Sequence, residues 1–169
     1  MTKRYIEPIV GGRVRLRLLE ESDLGLTLAW RNQDHIRSWF VHSEPLTEAQ
    51  HRAWFERYAP RDDDFVFVIE ETNELHKPVG QVSLYNIDWP NARAEFGRML
   101  VGEPEATGKG LAKEATALAV EYAFGALGMK EIEAFIKSTN AASLAVLFSC
   151  GFHETWERDG LKRVARLAP

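Results

Sequence analysis

Two glycines, Gly108 and Gly110, stand where the hydrophobic pattern of the chain changes its period. Residues 94–101 before them have the composition of a strand, and apolar side chains after them recur every three or four residues from 111 to 126, which predicts a helix. A strand that enters a helix through so small a turn leaves main-chain N–H groups unpaired at the positive end of the helix dipole. Glycine suits such a turn because it adopts positive φ and has no Cβ to crowd an anion. The segment therefore predicts a phosphate-binding turn.

The rest of the chain alternates between strand-like and helix-like patterns. Residues 24–58, here called the helical arm, have helical spacing in short pieces, the last of which opens with the capping box Thr47-Glu48-Ala49-Gln50. Three strands that are close in sequence predict an antiparallel meander, and Asp159-Gly160 predicts a two-residue hairpin. No repeat or linker interrupts the order, so one domain over residues 1–169 is expected. The predicted strands are 14–18, 65–69, 79–87, 94–101, 131–136, 153–158 and 161–167, and the predicted helices are 24–32, 36–40, from 47, from 110 and 141–150.

Composition limits the classes of partner and compartment. The chain has 169 residues, 45% of them hydrophobic, which is enough for one buried core. With 21 Lys and Arg against 25 Asp and Glu, it lacks the basic excess of a nucleic-acid-binding protein. The single cysteine, Cys150, forms neither a disulfide framework nor a cysteine-based zinc site. No stretch approaches the roughly 18 apolar residues of a membrane span. We therefore expect a cytoplasmic protein with no nucleic-acid and no membrane partner.

Two common phosphate-binding patterns do not fit the turn that contains Gly108 and Gly110, here called the glycine turn (residues 107–112). A Walker loop has four residues between its glycines and a Ser or Thr after Gly-Lys, whereas five residues separate Gly102 from Gly108, and Gly110 follows Lys109. A dinucleotide-binding turn has a third glycine where this chain has Lys113, and it follows a βαβ unit rather than a meander. Neither ATP hydrolysis nor dinucleotide binding is therefore favoured.

A third pattern combines the glycine turn with a second segment about thirty residues later. Gly108-Lys109-Gly110, followed by Asn140-Ala141-Ala142-Ser143 and the closing Gly151-Phe152, resembles the two signatures of the GNAT acyl-CoA N-acyltransferases. The order of predicted elements also agrees with that family. The resemblance implies an α/β (α+β mixed sheet) fold with a central, mostly antiparallel sheet flanked by helices, in a single N-acetyltransferase domain over residues 1–169. It also implies acetyl-CoA as the cosubstrate and no metal.

The resemblance implies particular contacts with acetyl-CoA. The pantetheine arm would bond to the main chain of the strand as an added strand would, and the pyrophosphate would lie on the N–H groups of the glycine turn. Asn140 would reach the pantetheine arm from the side opposite the strand, although an Asn before a helix is also an ordinary N-cap. Glu105 stands where the family usually has Gln or Arg, and a carboxylate repels a pyrophosphate unless it points away. The implied cofactor-binding residues are Met99, Leu100, Val101, Thr107, Gly108, Lys109, Gly110, Leu111, Ala112 and Asn140.

Acetyl transfer to an amine requires a route for a proton, because an alkylamine with a pKa of about 10.4 is almost wholly protonated at pH 7. Glu95 is the candidate base, acting directly or through water; alternatively it is a solvated or salt-bridged strand carboxylate near Arg93 or Arg98. Related enzymes often use a tyrosine to protonate the leaving thiolate, but the matching position here is Leu147. Tyr85 or water remains as the donor, or the thiolate leaves unassisted. The predicted catalytic residues are thus Glu95 and Tyr85.

The helical arm is where such folds typically build the acceptor pocket. Residues 30–58 contain three of the five tryptophans and three of the five histidines. Such side chains suit stacking on a base or sugar and pairing with a phosphate. Alternatively, the tryptophans are core residues with solvated arginines between them. The candidate substrate-binding residues are Trp30, Arg31, Arg37, Trp39 and His51.

Several acceptors and one different class of function stay open. The arm resembles that of bacterial acetyltransferases acting on 4-amino sugars of sugar nucleotides, so a small-molecule amine of this kind is expected first. Residues 94–96, 108–112 and 37–40 also resemble spermidine N-acetyltransferases, and a protein amino terminus is a third acceptor. A noncatalytic module that senses acyl-CoA is the alternative of another class. The candidate carboxylates for a polyamine are Glu44, Glu48 and the run Asp62-Asp63-Asp64.

Two further expectations concern metals and assembly. The five histidines are not arranged at helical ligand spacing with nearby carboxylates, so no metal is expected. The final hairpin and the sheet edges of this fold commonly pair subunits, so a homodimer is possible.

Overall fold

The structure, a computed structural model, describes residues 2–169; Met1, the first residue of the predicted domain, lies outside the described residues. The strands are β1 (Ile9–Val10), β2 (Val14–Leu18), β3 (Phe65–Glu71), β4 (Lys77–Asp88), β5 (Arg93–Val101), β6 (Glu131–Lys137), β7 (His153–Arg158) and β8 (Leu161–Leu167). The helices are α1 (Leu24–Arg31), α2 (Asp34–Arg37), α3 (Glu48–Tyr58), α4 (Leu111–Gly125) and α5 (Ala141–Ser149).

All eight strands form one sheet in the order β1-β2-β3-β4-β5-β6-β8-β7. Every neighbouring pair is antiparallel except β5 and β6, which α4 connects in parallel. A parallel pair needs such a crossover, because the chain must return to the same end of the sheet before the second strand begins. The predicted mixed, mostly antiparallel sheet flanked by helices is therefore confirmed.

The predicted elements differ from the observed ones in the arm and near the N-terminus. The second arm helix covers Asp34–Arg37 rather than 36–40. The N–H groups of Trp39 and Phe40 bond to carbonyls three residues back, so the chain continues as tight turns instead of α-helix. Strand β1 was not predicted, because two residues are too short to display a period.

The main core lies between the sheet and helices α4 and α5. Helix α4 presents Ala115, Ala119 and Ala123 to the sheet, all fully buried, and such small side chains let the helix axis approach the strands closely. Strand β3 contributes Phe65, Phe67 and Ile69 to this core, while Val66 and Val68 face the opposite side. There Leu19, Leu24 and Tyr58 cover them. The continuous apolar run of β3 thus reflects a strand that is buried on both faces.

Strands β5 and β6 separate after a short parallel contact. They pair only from Arg93↔Glu131 to Glu95↔Glu133, although β5 continues to Val101. Beyond Glu95 the β6-facing edge of β5 has no strand partner within residues 2–169. The fold therefore opens a gap at the centre of its own sheet, next to the end of β5 that leads into α4.

Candidate active site

A cavity of about 800 Å³ lies at the gap between β5 and β6. Its walls come from the end of β5, the beginning of α5 and the helical arm. Met99 and Asn140 line the side towards α5, Arg31 and His51 line the side of the arm, and Glu95 lies on β5 between them. A ligand that enters the gap between the strands and a ligand held by the arm would therefore meet in one space.

The glycine turn has the conformation that its sequence predicts. Gly108 and Gly110 have φ of +77° and +75°, and Gly110 is the N-cap of α4 with no capping side chain. The first main-chain bond of this end runs from Glu114 N–H to the carbonyl of Gly110 at 3.2 Å. Within the described chain, the N–H groups of residues 111–113 have no main-chain acceptor. A Cβ on Gly108 would meet nothing within 4 Å, so the space beside the turn is open to a ligand.

Glu105 and Lys109, at the glycine turn, each form an ion pair with a side chain from another segment. Glu105, whose carboxylate threatened cofactor affinity, forms an ion pair with Lys77 on β4, which holds the pKa of Glu105 below its usual range. Lys109 pairs with Glu74 at 2.9 Å. A ligand at the turn would thus meet main-chain dipoles and neutralised ion pairs rather than an unpaired carboxylate.

The three predicted residues at the end of β5, Met99, Leu100 and Val101, point their side chains to different places. Met99 lines the cavity. The Leu100 side chain is buried with Trp30 and Ile36 on the side of the arm, and Val101 packs against the main core. What these residues share is a main chain whose β6-facing edge is unoccupied by any strand in the described chain.

Asn140 caps α5 and also lines the cavity. Its Oδ1 accepts a bond from the Ser143 N–H at 3.2 Å and so caps α5. Its Nδ2 donates to no group within residues 2–169, and the residue lines the cavity. Leu147 lines the same wall and is fully buried, so position 147 supplies no proton donor.

Glu95 and Tyr85 form a hydrogen-bonded pair inside the cavity. The Tyr85 hydroxyl donates to Glu95 Oε1 at 2.6 Å, and Asn86 Nδ2 donates to Oε2 at 2.8 Å. Burial, followed by the neighbouring Glu95, raises the pKa of Tyr85, so the phenol keeps its proton at neutral pH. A Cβ on Gly97 would lie 2.8 Å from the Tyr85 hydroxyl, so glycine makes room for the ring.

The ion pairs considered for Glu95 do not form. Arg93 pairs with Glu131 at 2.6 Å. Arg98 pairs with the buried carboxylate of Asp64 at 2.7 Å. Among the described residues, Glu95 therefore has no cationic partner in contact.

Arg98 is a site residue that the sequence did not disclose. It has a φ of +51° at a bulge between β4 and β5, and its guanidinium lies 4.1 Å from the centre of the Tyr85 ring. Asp64 fixes it from 34 residues away with bonds of 2.7 and 3.2 Å. The sequence showed only an acidic run at 62–64 and an arginine in a strand, with no sign that the two would meet.

The five arm residues predicted to bind substrate divide into two groups. Arg31, Trp39 and His51 line the cavity, whereas Trp30 and Arg37 do not. Trp30 is 2% exposed, donates to Glu103 at 3.1 Å and lies against Gly102, where a Cβ would be 2.1 Å from its ring.

Arg37 is held away from the cavity by local bonds. Its guanidinium donates to Asp34 at 2.8 Å and to the Ser43 carbonyl at 2.9 Å. Trp30 and Arg37 therefore make structural contacts and do not line the cavity. The cavity wall also includes arm residues outside our prediction, among them Trp54 and Arg57.

His51 is buried at the arm wall. Its Nε2 lies 3.0 Å from the Thr27 hydroxyl, and its ring stacks on Trp54 with centroids 5.4 Å apart. Burial, and then the charge of Arg31, lowers the pKa of His51, which keeps the ring neutral near pH 7.

The described residues contain neither a metal-binding cluster nor a helix that could span a membrane. Within residues 2–169, no group of three or more His, Cys, Asp or Glu side chains is placed to hold a metal ion. None of the helices in this part of the chain has the length and apolar character needed to span a bilayer.

Known proteins match the chain in sequence and in fold. The family model described as acetyltransferase (GNAT) domain matches residues 13–153. A spermidine N(1)-acetyltransferase of Escherichia coli is 29% identical over 141 residues, covering 82% of this chain and 72% of the relative. A putative ribosomal N-acetyltransferase of Bacillus subtilis is 29% identical over 161 residues, covering 90% and 85%.

A solved structure supports the same fold. The spermidine N-acetyltransferase of Vibrio cholerae, crystallised with CoA and spermine, superposes with a TM-score of 0.81 at 24% identity, covering 93% of this chain and 96% of that one. Two other relatives are longer proteins, of which the chain spans only 28% and 51%.

Proposed function

The chain belongs to the GNAT family of acetyltransferases, and from that premise we propose that it transfers the acetyl group of acetyl-CoA to a primary amine of a small molecule, first a 4-amino sugar of a sugar nucleotide. The observation that carries this proposal is the single cavity that joins the open edge of β5, the Glu95–Tyr85 pair and the helical arm. A noncatalytic sensor of acyl-CoA would need the first of these features but not the other two.

The residues of the glycine turn fit the pyrophosphate of acetyl-CoA. The N–H groups of residues 108–112, the open space beside Gly108 and the unpaired Nδ2 of Asn140 would hold the cosubstrate, with its pantetheine arm along residues 99–101. The N–H of Thr107, expected to contribute as well, already donates to the Pro104 carbonyl at 3.2 Å. When bound there, acetyl-CoA supplies the acetyl thioester. The ion pair between Lys77 and Glu105 supports this fit, because it removes the repulsion expected from the family departure at Glu105.

Glu95 and Tyr85 would move the protons of the transfer. For an amine that has entered the cavity in its neutral form, Glu95 takes one proton from the attacking nitrogen, and Tyr85 gives one to the departing sulfur. Their 2.6 Å hydrogen bond then lets the proton on Glu95 pass to Tyr85, which returns both groups to their starting states. The phenol of Tyr85 is protonated at neutral pH, so it holds a proton when the sulfur departs. Protonation of Glu95 in the preceding step removes the neighbouring charge that helps to raise the pKa of Tyr85, which makes the phenol a better donor.

Spermidine is the second candidate acceptor. The names of the relatives from E. coli and V. cholerae favour it, and the sequence pattern includes residues similar to those enzymes. A protein amino terminus is the third, favoured by the name of the B. subtilis relative. A homodimer remains a proposal as well, supported by β7, whose outer edge has no strand neighbour within the described residues.

A thiol-release panel tests the proposed function. The protein is incubated with acetyl-CoA and, separately, a 4-amino sugar nucleotide, spermidine and an amino-terminal peptide. We expect CoA release to be fastest with the sugar nucleotide. Release only with spermidine or only with the peptide would replace the leading acceptor by that one. Binding of acetyl-CoA without release with any amine would make the protein a sensor.

A further inference from the structure

We propose that the arm wall of the cavity is an anion-binding subsite, in which Arg31, assisted by Arg57, takes a phosphate or carboxylate group carried by the acceptor amine. The proposal rests on the proposed function, since it assigns the chemical class of the acceptor to the same cavity. It predicts that this member of the family discriminates against polycationic amines.

The first observation is the state of the Arg31 guanidinium. Arg31 ends α1 and lines the cavity. Its Nη2 donates to the His42 carbonyl at 2.9 Å, and its Cζ lies 4.8 Å from the centre of the Phe40 ring. Its Nη1 is buried and has no hydrogen-bond partner in the described chain. A buried cationic donor without an acceptor is costly, and an anion would satisfy both its charge and its hydrogen bond.

Other partly buried arginines show what is unusual about Arg31. Arg17 pairs with Asp23 at 2.8 Å, Arg98 pairs with Asp64 at 2.7 Å and Arg163 pairs with Glu133 at 2.7 Å. Arg31 makes no ion pair with any of residues 2–169. Burial without a counterion also lowers its pKa, in contrast to the raised pKa of Arg17. The fold thus supplies carboxylates to its structural arginines and leaves Arg31 without one.

The second observation is that Arg57, like Arg31, has no counterion among the described residues. It lies in the last turn of α3 and lines the same cavity. No carboxylate or hydrogen-bond acceptor of the described residues contacts it. An exposed arginine without a partner is ordinary by itself, but two unpaired guanidinium groups on the wall of one cavity give that wall a net positive charge.

The third observation is the shortage of carboxylates. Glu95 is the only Asp or Glu among the described residues that line the cavity, and Tyr85 and Asn86 already bond to it. The remaining titratable groups on the wall are Tyr85 and three histidines, which add no negative charge at neutral pH. The charged groups on the wall are Arg31, Arg57, Arg98 and Glu95.

The carboxylates that a polyamine would need are bound elsewhere. Asp62 pairs with Arg4, Asp63 with Arg61, and Asp64 with Arg98. Glu44 and Glu48 lie outside the cavity wall. A polycation would therefore enter a cavity whose uncompensated charges have its own sign, whereas an amine that carries an anion would find them complementary.

The direct test is titration of the CoA-saturated protein with two anionic probes and one cationic probe. Pyrophosphate represents a nucleotide source, succinate represents a carboxylate source, and spermine represents a polyamine. Saturation with CoA keeps the probes out of the glycine turn. We expect at least one anion to bind, Arg31→Gln to weaken that binding at least tenfold, Arg31→Lys to restore part of it and Arg57→Gln to weaken it less. The tighter anion identifies the source.

Arg37→Gln is the matched control, because Arg37 is an arm arginine that does not line the cavity. It should bind the anions as the wild type does. Melting curves exclude a folding defect, and Arg31→Lys keeps the test valid if Arg31→Gln fails to fold. Equal anion affinity in wild type and the Arg31 variants, or tighter binding of spermine than of both anions, would overturn the subsite.

A kinetic arm separates the subsite from the proposed function. Amines are compared in pairs that differ only by a phosphate or carboxylate, and Arg31→Gln is expected to raise KM for the anionic member at least tenfold while leaving KM for the neutral member unchanged. Thiol release with an unaltered KM in Arg31→Gln rejects the subsite alone. Anion binding that depends on Arg31, without thiol release from any amine, rejects the proposed function alone.

Discussion

The glycine turn, residues 107–112, and the helical arm, residues 24–58, offer different kinds of group to a ligand. Around the turn, Lys77 neutralises Glu105 and Glu74 neutralises Lys109, and the main-chain N–H groups at the start of α4 are left for a ligand. In the arm, the main chain is bonded within short helices, and Arg31 and Arg57 are left without carboxylates in the described chain. One region offers main-chain donors to a ligand, and the other offers uncompensated side-chain charge.

This difference matches the ligands that the two regions are proposed to hold. A cosubstrate shared by a whole family needs only a backbone shape, which many sequences can form provided that glycine occupies the positions with positive φ. An acceptor that varies between relatives needs side chains, which can change without disturbing the sheet. The Glu95–Tyr85 pair lies between the two regions and belongs to neither.

Glu95→Gln gives the largest expected effect and tests whether the chemistry is separate from both binding regions. Loss of the base should lower kcat by about 10² to 10⁴-fold, while KM for acetyl-CoA stays within about twofold of the wild type because Glu95 lies away from the turn. Steady-state thiol release at several pH values measures both. Glu121→Gln on the exposed side of α4 is the control and should keep full activity. Full rate across pH in Glu95→Gln would remove the residue from the mechanism.

Gly110→Ala tests the backbone half of the comparison. A Cβ at a φ of +75° costs about 1–2 kcal/mol, and the turn can relieve that strain only by moving its N–H groups. We expect KM for acetyl-CoA to rise about tenfold, the equivalent of about 1.4 kcal/mol, with KM for the acceptor unchanged. Gly125→Ala in the same helix meets nothing within 4 Å and should leave both values unaltered. Calorimetry with CoA measures the loss of affinity for the cosubstrate, and chemical denaturation measures the conformational cost of the Cβ.

A rise in KM for the acceptor in Gly110→Ala would instead show that the two regions are coupled. An unchanged affinity for CoA would show that the turn does not bind the cosubstrate.

The glycine turn was more predictable from the sequence than the helical arm. The positions of Gly108 and Gly110, the strand before them and the apolar face of α4 are local patterns, so the turn and the start of the helix followed from adjacent residues. The same holds for the hairpin at Asp159-Gly160, whose strands agree with the prediction.

The side-chain contacts of the helical arm and the cavity were less predictable because they join segments that are distant in sequence. Asp64 meets Arg98 across 34 residues at a bulge with no glycine to mark it. Trp30 is drawn into the core by Glu103 and Gly102, which lie about 70 residues away. Nothing in the composition of the arm distinguishes Arg37, held by Asp34, from Arg31, which faces the cavity.

Lys77→Ala tests whether neutralised charge matters at the turn. It leaves Glu105 without its counterion, so the carboxylate should repel the pyrophosphate of CoA and weaken CoA binding by about two- to fivefold, the range expected of exposed ion pairs. The effect should shrink as salt is raised. Adding Glu105→Gln to Lys77→Ala should restore the affinity. A loss that persists in the double variant would mean that Lys77 acts on the ligand itself rather than through Glu105.

His51→Gln gives the smallest expected effect and probes the charge of the arm. Because burial and Arg31 lower the pKa of His51, the unfolded chain binds a proton near pH 6.5 that the folded protein does not yet bind. Stability should therefore fall as pH drops below about 6.5, until the folded pKa is passed. His51→Gln should reduce that slope by at most one proton, about 1.4 kcal/mol per pH unit. Denaturation from pH 5 to 7.5 measures it, with exposed His153→Gln as the control.

The same histidine reports on Arg31. Since the charge of Arg31 contributes to the lowered pKa, Arg31→Gln should move the titration of the His51 ring to higher pH in an NMR measurement, whereas Arg37→Gln should not. An anion bound at Arg31 would screen the same charge and shift the ring in the same direction. Identical titrations in wild type and Arg31→Gln would mean that this charge does not reach the arm wall, and the contrast between a neutralised turn and a charged arm would then be wrong.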